Sequence, residues 1–235
     1  MMSFWRVTLR RSISLSKTYI VLGLAIAVYG IGLSNLLTVV ELDPSNLGNV
    51  PIDLRGVFPV LSVAFLSLSA LLFSMPVVML FVYDKGNGVF EYLLSTGLDQ
   101  LDIFKGYVKA SLLLASYLLV FSVVLNTAIG LLLGTSLTLL AGIAVLTFSL
   151  GVSTVFLVTV CMIAFSSLQK TPTGANQPLG VIVGIIPVFP ALILPFVFPQ
   201  YALIVDISIA AVTSLASVGL LLSIGKLIMR EKLLP

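Results

Sequence analysis

Long apolar runs dominate the chain, and the polar residues fall into short clusters between them. Runs at about 19–40, 57–83, 107–133, 137–165, 179–198 and 202–225 each approach the roughly 20 apolar residues a helix needs to cross a bilayer core. The pattern predicts an all-α integral membrane protein, one transmembrane domain over residues 1–235 with six transmembrane helices. Residues 41–56, ELDPSNLGNVPIDLRG, are rich in turn formers and predict an exposed loop, as does the polar stretch 166–178. So few residues join the third and fourth runs that these two must form an antiparallel hairpin. Pro76 interrupts the second run, which a membrane helix tolerates when its neighbours satisfy the freed carbonyl. Pro187, Pro190 and Pro195 in the fifth run predict a helix broken near Pro187–Pro190, then a short re-entrant or interfacial piece before the last span, covered by protein or water rather than lipid.

Composition agrees with the pattern. Hydrophobic residues make up 59% of the chain and charged residues 9%, against about a quarter charged in soluble domains. The net charge of +3 is too small to signal nucleic acid. Placement of the cations is more telling, because loops facing the cytoplasm carry an excess of Lys and Arg. With the N-terminus inside, eleven of the twelve basic residues fall on inner segments, and only Arg55 lies outside. Both termini are therefore expected in the cytoplasm, in a cell-membrane protein surrounded by lipid. Residues 1–18 carry Arg6, Arg10, Arg11 and Lys17 with Phe4 and Trp5. Their apolar residues do not gather on one face, yet Trp and cations suit the headgroup region, so a short interfacial helix is expected. The first apolar run is of spanning length with no small-residue cleavage site behind it, and so reads as a span rather than a signal peptide.

The spans offer little chemistry. The chain has no histidine and one cysteine, Cys161, and no paired carboxylates or Ser–Lys couple within the apolar runs. No catalytic, metal or cofactor site is expected in this chain. Asp206 is the only acid inside an apolar run; its place a few residues into the sixth reads more readily as a solvated helix-end carboxylate than as a substrate or ion contact. Asn126, deeper in the third, reads as an interhelical hydrogen bond before a pathway lining. Gly130 with Gly134, and Gly180 with Gly184, have the spacing of close helix approach. A capping-box pattern, Thr96 to Asp99, is also present, with Asp in place of Glu or Gln.

The polar exception is 84–106, where Asp84, Lys85, Glu91, Asp99, Asp102 and Lys105 crowd together. On a helical wheel Phe90, Leu93, Leu94, Leu98, Leu101 and Phe104 fall within about 140°, and Glu91, Ser95, Asp99 and Asp102 within about 80° on the other side. The segment is amphipathic with an acidic polar face, a poor match for anionic lipid. It divides into a short helix from about Gly88 to Ser95 and a restart into the third span. The apolar face is expected to fill a partner's cleft or to pack under the bundle.

These residues resemble the signature of the type-2 ATP-binding-cassette (ABC) transporter permeases: acid, base, acid, any residue, Gly-Thr-Leu-Glu, any residue, Leu-Leu, any residue, Thr-Pro, then Gly-Lys some seven residues on. Asp84 and Lys85 take the first acid and base and Gly88 the glycine; Glu91, Leu93, Leu94 and Thr96 match directly. Val89 and Phe90 replace Thr-Leu, Gly86 replaces the second acid, Gly97 the proline, and Lys105-Gly106 is inverted. The resemblance implies that the segment is a coupling helix between spans two and three, docking through Asp84, Lys85, Gly88, Phe90, Glu91, Leu93, Leu94 and Thr96 on a separate ATPase subunit. It further implies two P-loop ATPase subunits, with ATP and Mg on them, and a second permease half, identical or different. The chain itself has no GxxxxGK[ST] loop. The implied function is half of an export pathway. The rival readings are a self-sufficient small secondary transporter or channel, which would place ionisable groups near the midplane, and a non-transporting scaffold subunit.

Overall fold

The structure, a computed structural model, describes residues 4–42, 57–165 and 178–227. The loop expected at 41–56 falls mostly outside these residues, as do Arg55, the stretch 166–177 and the tail from 228. Every described element is helical. Phe4–Leu15 forms α1, Lys17–Leu42 α2, Val57–Gly86 α3, Val89–Ser95 α4, Gln100–Leu132 α5, Leu137–Phe165 α6, Pro178–Val197 α7 and Ala202–Leu227 α8, with a 3-10 turn at Pro199–Tyr201 before α8. Five helices, α2, α3, α5, α6 and α8, are long and apolar enough to cross a membrane. The described apolar part of α7, Ile186–Val197, is shorter.

The bundle is built around α3, which packs on every other helix. Two-thirds of its apolar window is buried, as in α6, against 17% for α8. The outward faces of α2, α5 and α8 instead present Val28, Phe121 and Leu222 among other large apolar groups, which suits lipid rather than water. Glycine lets α2 lie close on α3: a Cβ on Gly30 would strike Phe65, and one on Gly23 would stand 2.9 Å from the Ser69 carbonyl. Those two glycines, rather than the GxxxG pairs, make this approach. Gly130 receives the Leu140 side chain inside the α5–α6 hairpin, and Gly134, at φ 79°, terminates α5. The packing around Gly180 and Gly184 lies outside the described residues.

The fifth run departs from expectation. No break occurs at Pro187–Pro190; α7 continues through all three prolines to Val197, and the helical path is interrupted at Phe198 (φ −126°, ψ 66°). Pro187, Val188, Ala191 and Pro195 share the buried face of α7. Two of the three prolines are therefore covered by neighbouring helices, the condition under which a membrane helix carries them.

The polar segment is also shorter than 84–106. α3 runs on to Gly86 and α5 begins at Gln100, so only residues 87–99 connect them. At 1.5 Å per residue these helices are about 45 and 50 Å long, well beyond a core of roughly 30 Å. Their surplus turns gather with α1 and α4 at one end of the bundle.

Candidate docking site at the α1–α4 end

Local geometry fixes α4. Gly88 is its N-cap at φ 68°, a left-handed conformation that favours glycine. At the other end the Gly97 N–H donates to the Leu94 carbonyl (3.1 Å) and the Leu98 N–H to the Leu93 carbonyl (3.3 Å), with Gly97 at φ 86°. This is a Schellman motif, which needs glycine at that place. The expected capping box is not formed. Thr96 is the C-cap of α4 and donates its hydroxyl back to the Leu93 carbonyl (2.7 Å), and the N-cap of α5 is Asp99, which makes no side-chain cap bond. A proline at 97 cannot reach positive φ, so the glycine that departs from the permease pattern marks a different end to the helix.

The two faces fall where the wheel puts them. Phe90 and Phe104 are buried, Leu93, Leu94, Leu98 and Leu101 half-buried, while Glu91, Ser95, Asp99 and Asp102 are exposed. The apolar face packs under the bundle: the Phe90 ring lies 4.9 Å from Phe81 and 5.8 Å from Tyr107, and Phe4 of α1 meets the edge of Tyr107 at 5.7 Å. The cluster also takes in Ile103 and Ile163.

Asp84 ties these elements together. It is not displayed on a docking surface; it has no exposure at all. Arg11 of α1 donates from both terminal nitrogens to its two oxygens (2.7 and 3.1 Å), and the Tyr107 hydroxyl of α5 donates at 2.5 Å. A bidentate guanidinium and a phenol compensate the buried charge. One carboxylate thus joins α1, α3 and α5 around the base of α4. On the outer side of α1, Trp5 stacks with Arg6 (5.3 Å) and with Lys109 of α5 (5.0 Å), worth about 0.5–1 kcal/mol each at exposed sites.

The eight residues expected to dock therefore divide. Asp84 and Phe90 are interior, Leu93 and Leu94 half-buried, Gly88 the left-handed N-cap of α4 and Lys85 half-buried in the last turn of α3. Glu91 and Thr96 are on the surface, and Tyr92, which the sequence did not single out, is 68% exposed beside them. Arg11 and Tyr107 were missed as well: their partner is 73 and 23 residues away, and nothing local marks either.

The two polar residues singled out within the apolar runs, Asn126 and Asp206, sit elsewhere. Asn126 bridges helices: its Oδ1 accepts from Asn35 Nδ2 of α2 (2.9 Å), and its amide reaches Ser62 of α3 (3.5 Å). Asp206 is not the solvated helix-end acid expected. It is fully buried, and among the described residues neither oxygen has a hydrogen-bond partner, because its face of α8 is the one turned to α3, α6 and α7. Among the described residues no three acids or thiols come together as a metal site. Comparison with family models, curated proteins and solved structures finds no match to this chain.

Proposed function

We propose that the chain is the membrane subunit of an ATP-driven transporter, similar to the type-2 ABC permeases, with its α1–α4 end in the cytoplasm. The observation that carries this reading is α4 itself: a two-turn amphipathic helix held between the second and third long apolar helices, its apolar face fixed under the bundle and its acidic face free. A segment that transmits force from a moving partner must be short, stiff and continuous with the helices that move. The Asp84 tie and the aromatic cluster supply that stiffness. The surface offered by Glu91, Tyr92, Ser95 and Thr96 is suited to basic groups or helix N-termini on a P-loop ATPase subunit. Two such ATPase subunits, carrying ATP and Mg, would serve two permease halves, and the six-span topology would count α7 as the fifth span.

Purification from native membranes tests the reading: the chain should return with a P-loop ATPase, and its recovery without one counts against the proposal. Glu91→Arg should abolish coupled transport while insertion and thermal stability stay within about 0.5 kcal/mol, as for exposed substitutions. Unchanged transport removes Glu91 from docking. One observation favours the self-sufficient transporter instead, the buried acid at Asp206, since ionisable groups inside spans commonly serve coupling ions. Ion-driven flux through the purified chain without ATP would establish that alternative.

A further inference from the structure

Asp206 stands on the second turn of α8, on a buried stripe with Ala202, Ala210 and Thr213. The stripe meets apolar neighbours at both levels: Ala202 clusters with Val57 and Leu61 of α3, and Ala210 with Ala64 of α3, Ile143 of α6 and Val188 of α7. Among the described residues, no ionisable group on the packed elements faces it. On α3 the ionisable residues are Tyr83, Asp84 and Lys85, at the far end; on α6 there is Cys161, six turns from the start; α7 has none; and Tyr201 of the intervening turn is 54% exposed. On α8 itself the other one is Lys226, at the opposite end.

A carboxylate enclosed in this way and left charged costs several kcal/mol. A metal ion is a poor remedy, since hard cations require six or more oxygen ligands and among the described residues no group of acids gathers at Asp206. A proton requires no further ligand. It turns the ion into a neutral carboxylic acid that an apolar enclosure accepts at the lower cost of an unpaired polar group.

The surroundings give this proton something to control. Between α7 and α8 the chain passes through Phe198, the one residue off the helical path, and the turn Pro199–Tyr201. Phe198 and Tyr201 are about half exposed, and the turn buries no residue, so packing does not lock the joint. Asp206 lies four residues beyond Ala202, about 6 Å along the axis. A swing of the first turns of α8 about this joint would bring it to water.

We propose that Asp206 is a proton-binding site that latches the start of α8 against α3 and α7. With the proton bound, the acid is neutral and that end of the bundle stays closed; release of the proton to water leaves a carboxylate that is stable only with the end open. The proton binds the closed state better, so by linkage acidification favours closure. This rests on the burial of Asp206 and not on an ATPase partner, so either reading can fail alone.

The test uses the full chain in lipid nanodiscs. An apolar carbodiimide, which modifies protonated carboxyls in apolar surroundings, should label Asp206 at about pH 5 and at least tenfold less at about pH 9, the scale of an ordinary coupling free energy, with peptide mapping as readout. Asp206→Asn should lose the adduct, and the exposed acids Glu91, Asp99 and Asp102 should stay at background. Absence of an Asp206 adduct at the lower pH, or labelling equal at both, overturns the proton site. Opening is read separately with Val57→Cys in a Cys161→Ser background, or Leu61→Cys should that variant not fold. Labelling by a membrane-impermeant maleimide, taken at each pH as a fraction of that of the unfolded chain so that thiol ionisation cancels, should rise about tenfold with pH when Asp206 is present and stay low with Asp206→Asn. Labelling that does not rise, or rises equally in both, overturns the latch.

Discussion

Two acids lie fully buried at opposite ends of the bundle, Asp84 and Asp206, and they are opposite in kind. Asp84 accepts three hydrogen bonds, two from a guanidinium and one from a phenol, brought from helices far apart in sequence. Asp206 accepts none from the described residues. The first charge is compensated and holds a region rigid; the second is uncompensated and makes its region conditional on a proton. The same residue type thus marks a fixed end, where α4 is presented, and an end poised to move.

The sharpest way to break this contrast is to strip Asp84 of its partner. Arg11→Ala should lower thermal stability in detergent by about 3 kcal/mol, the lower edge for orphaning a buried ion, since Arg11 itself is partly exposed. A loss under 0.5 kcal/mol would mean that Asp84 is not held as described. Tyr107→Phe removes one bond to the same charge and should cost about 1.5–3 kcal/mol. Gly97→Pro should cost more than about 1 kcal/mol, because the left-handed turn ending α4 excludes proline; tolerance would show that α4 can end as the permease pattern does. Asn126→Ala should cost about 0.6 kcal/mol, the average for hydrogen bonds between membrane helices. Asp206→Leu should cost nothing or stabilise, since an unpartnered polar group is exchanged for an apolar one. A cost comparable to that at Arg11 would erase the contrast between the two ends.

Much of this was legible in the sequence for a simple physical reason: lipid forces apolar runs of fixed length. α2, α3, α6 and α8 begin and end within about three residues of their runs. The wheel sorted Phe90 from Glu91 correctly because amphipathicity is a local property. Ends governed by competing local geometries were harder. Thr96 and Asp99 fit a capping box on paper, yet the backbone closes a Schellman turn at Gly97 instead. The prolines of α7 predicted a break because their cost is local, whereas the cover that spares the helix comes from α3, α6 and α8. Of the long-range pairing, the interhelical bond of Asn126 was legible from its depth in an apolar run, but the identity of the partners was not. Arg11, Asn35 and Tyr107 look like ordinary surface or span residues until folding sets each beside its partner. Asp206 was read as solvated from its nearness to a helix end, but burial depends on which face of α8 turns inward.

The most direct test of the docking proposal is site-specific photo-crosslinking in native membranes. A photoreactive phenylalanine analogue at Tyr92, the most exposed side chain of α4 described among the large apolar ones, should give an adduct with a P-loop ATPase subunit. The same analogue at Leu137, 65% exposed at the opposite end of the bundle, should give none. An ATPase adduct confined to position 92 is the predicted result; no such adduct there, or equal adducts at both positions, would contradict a docking site on α4.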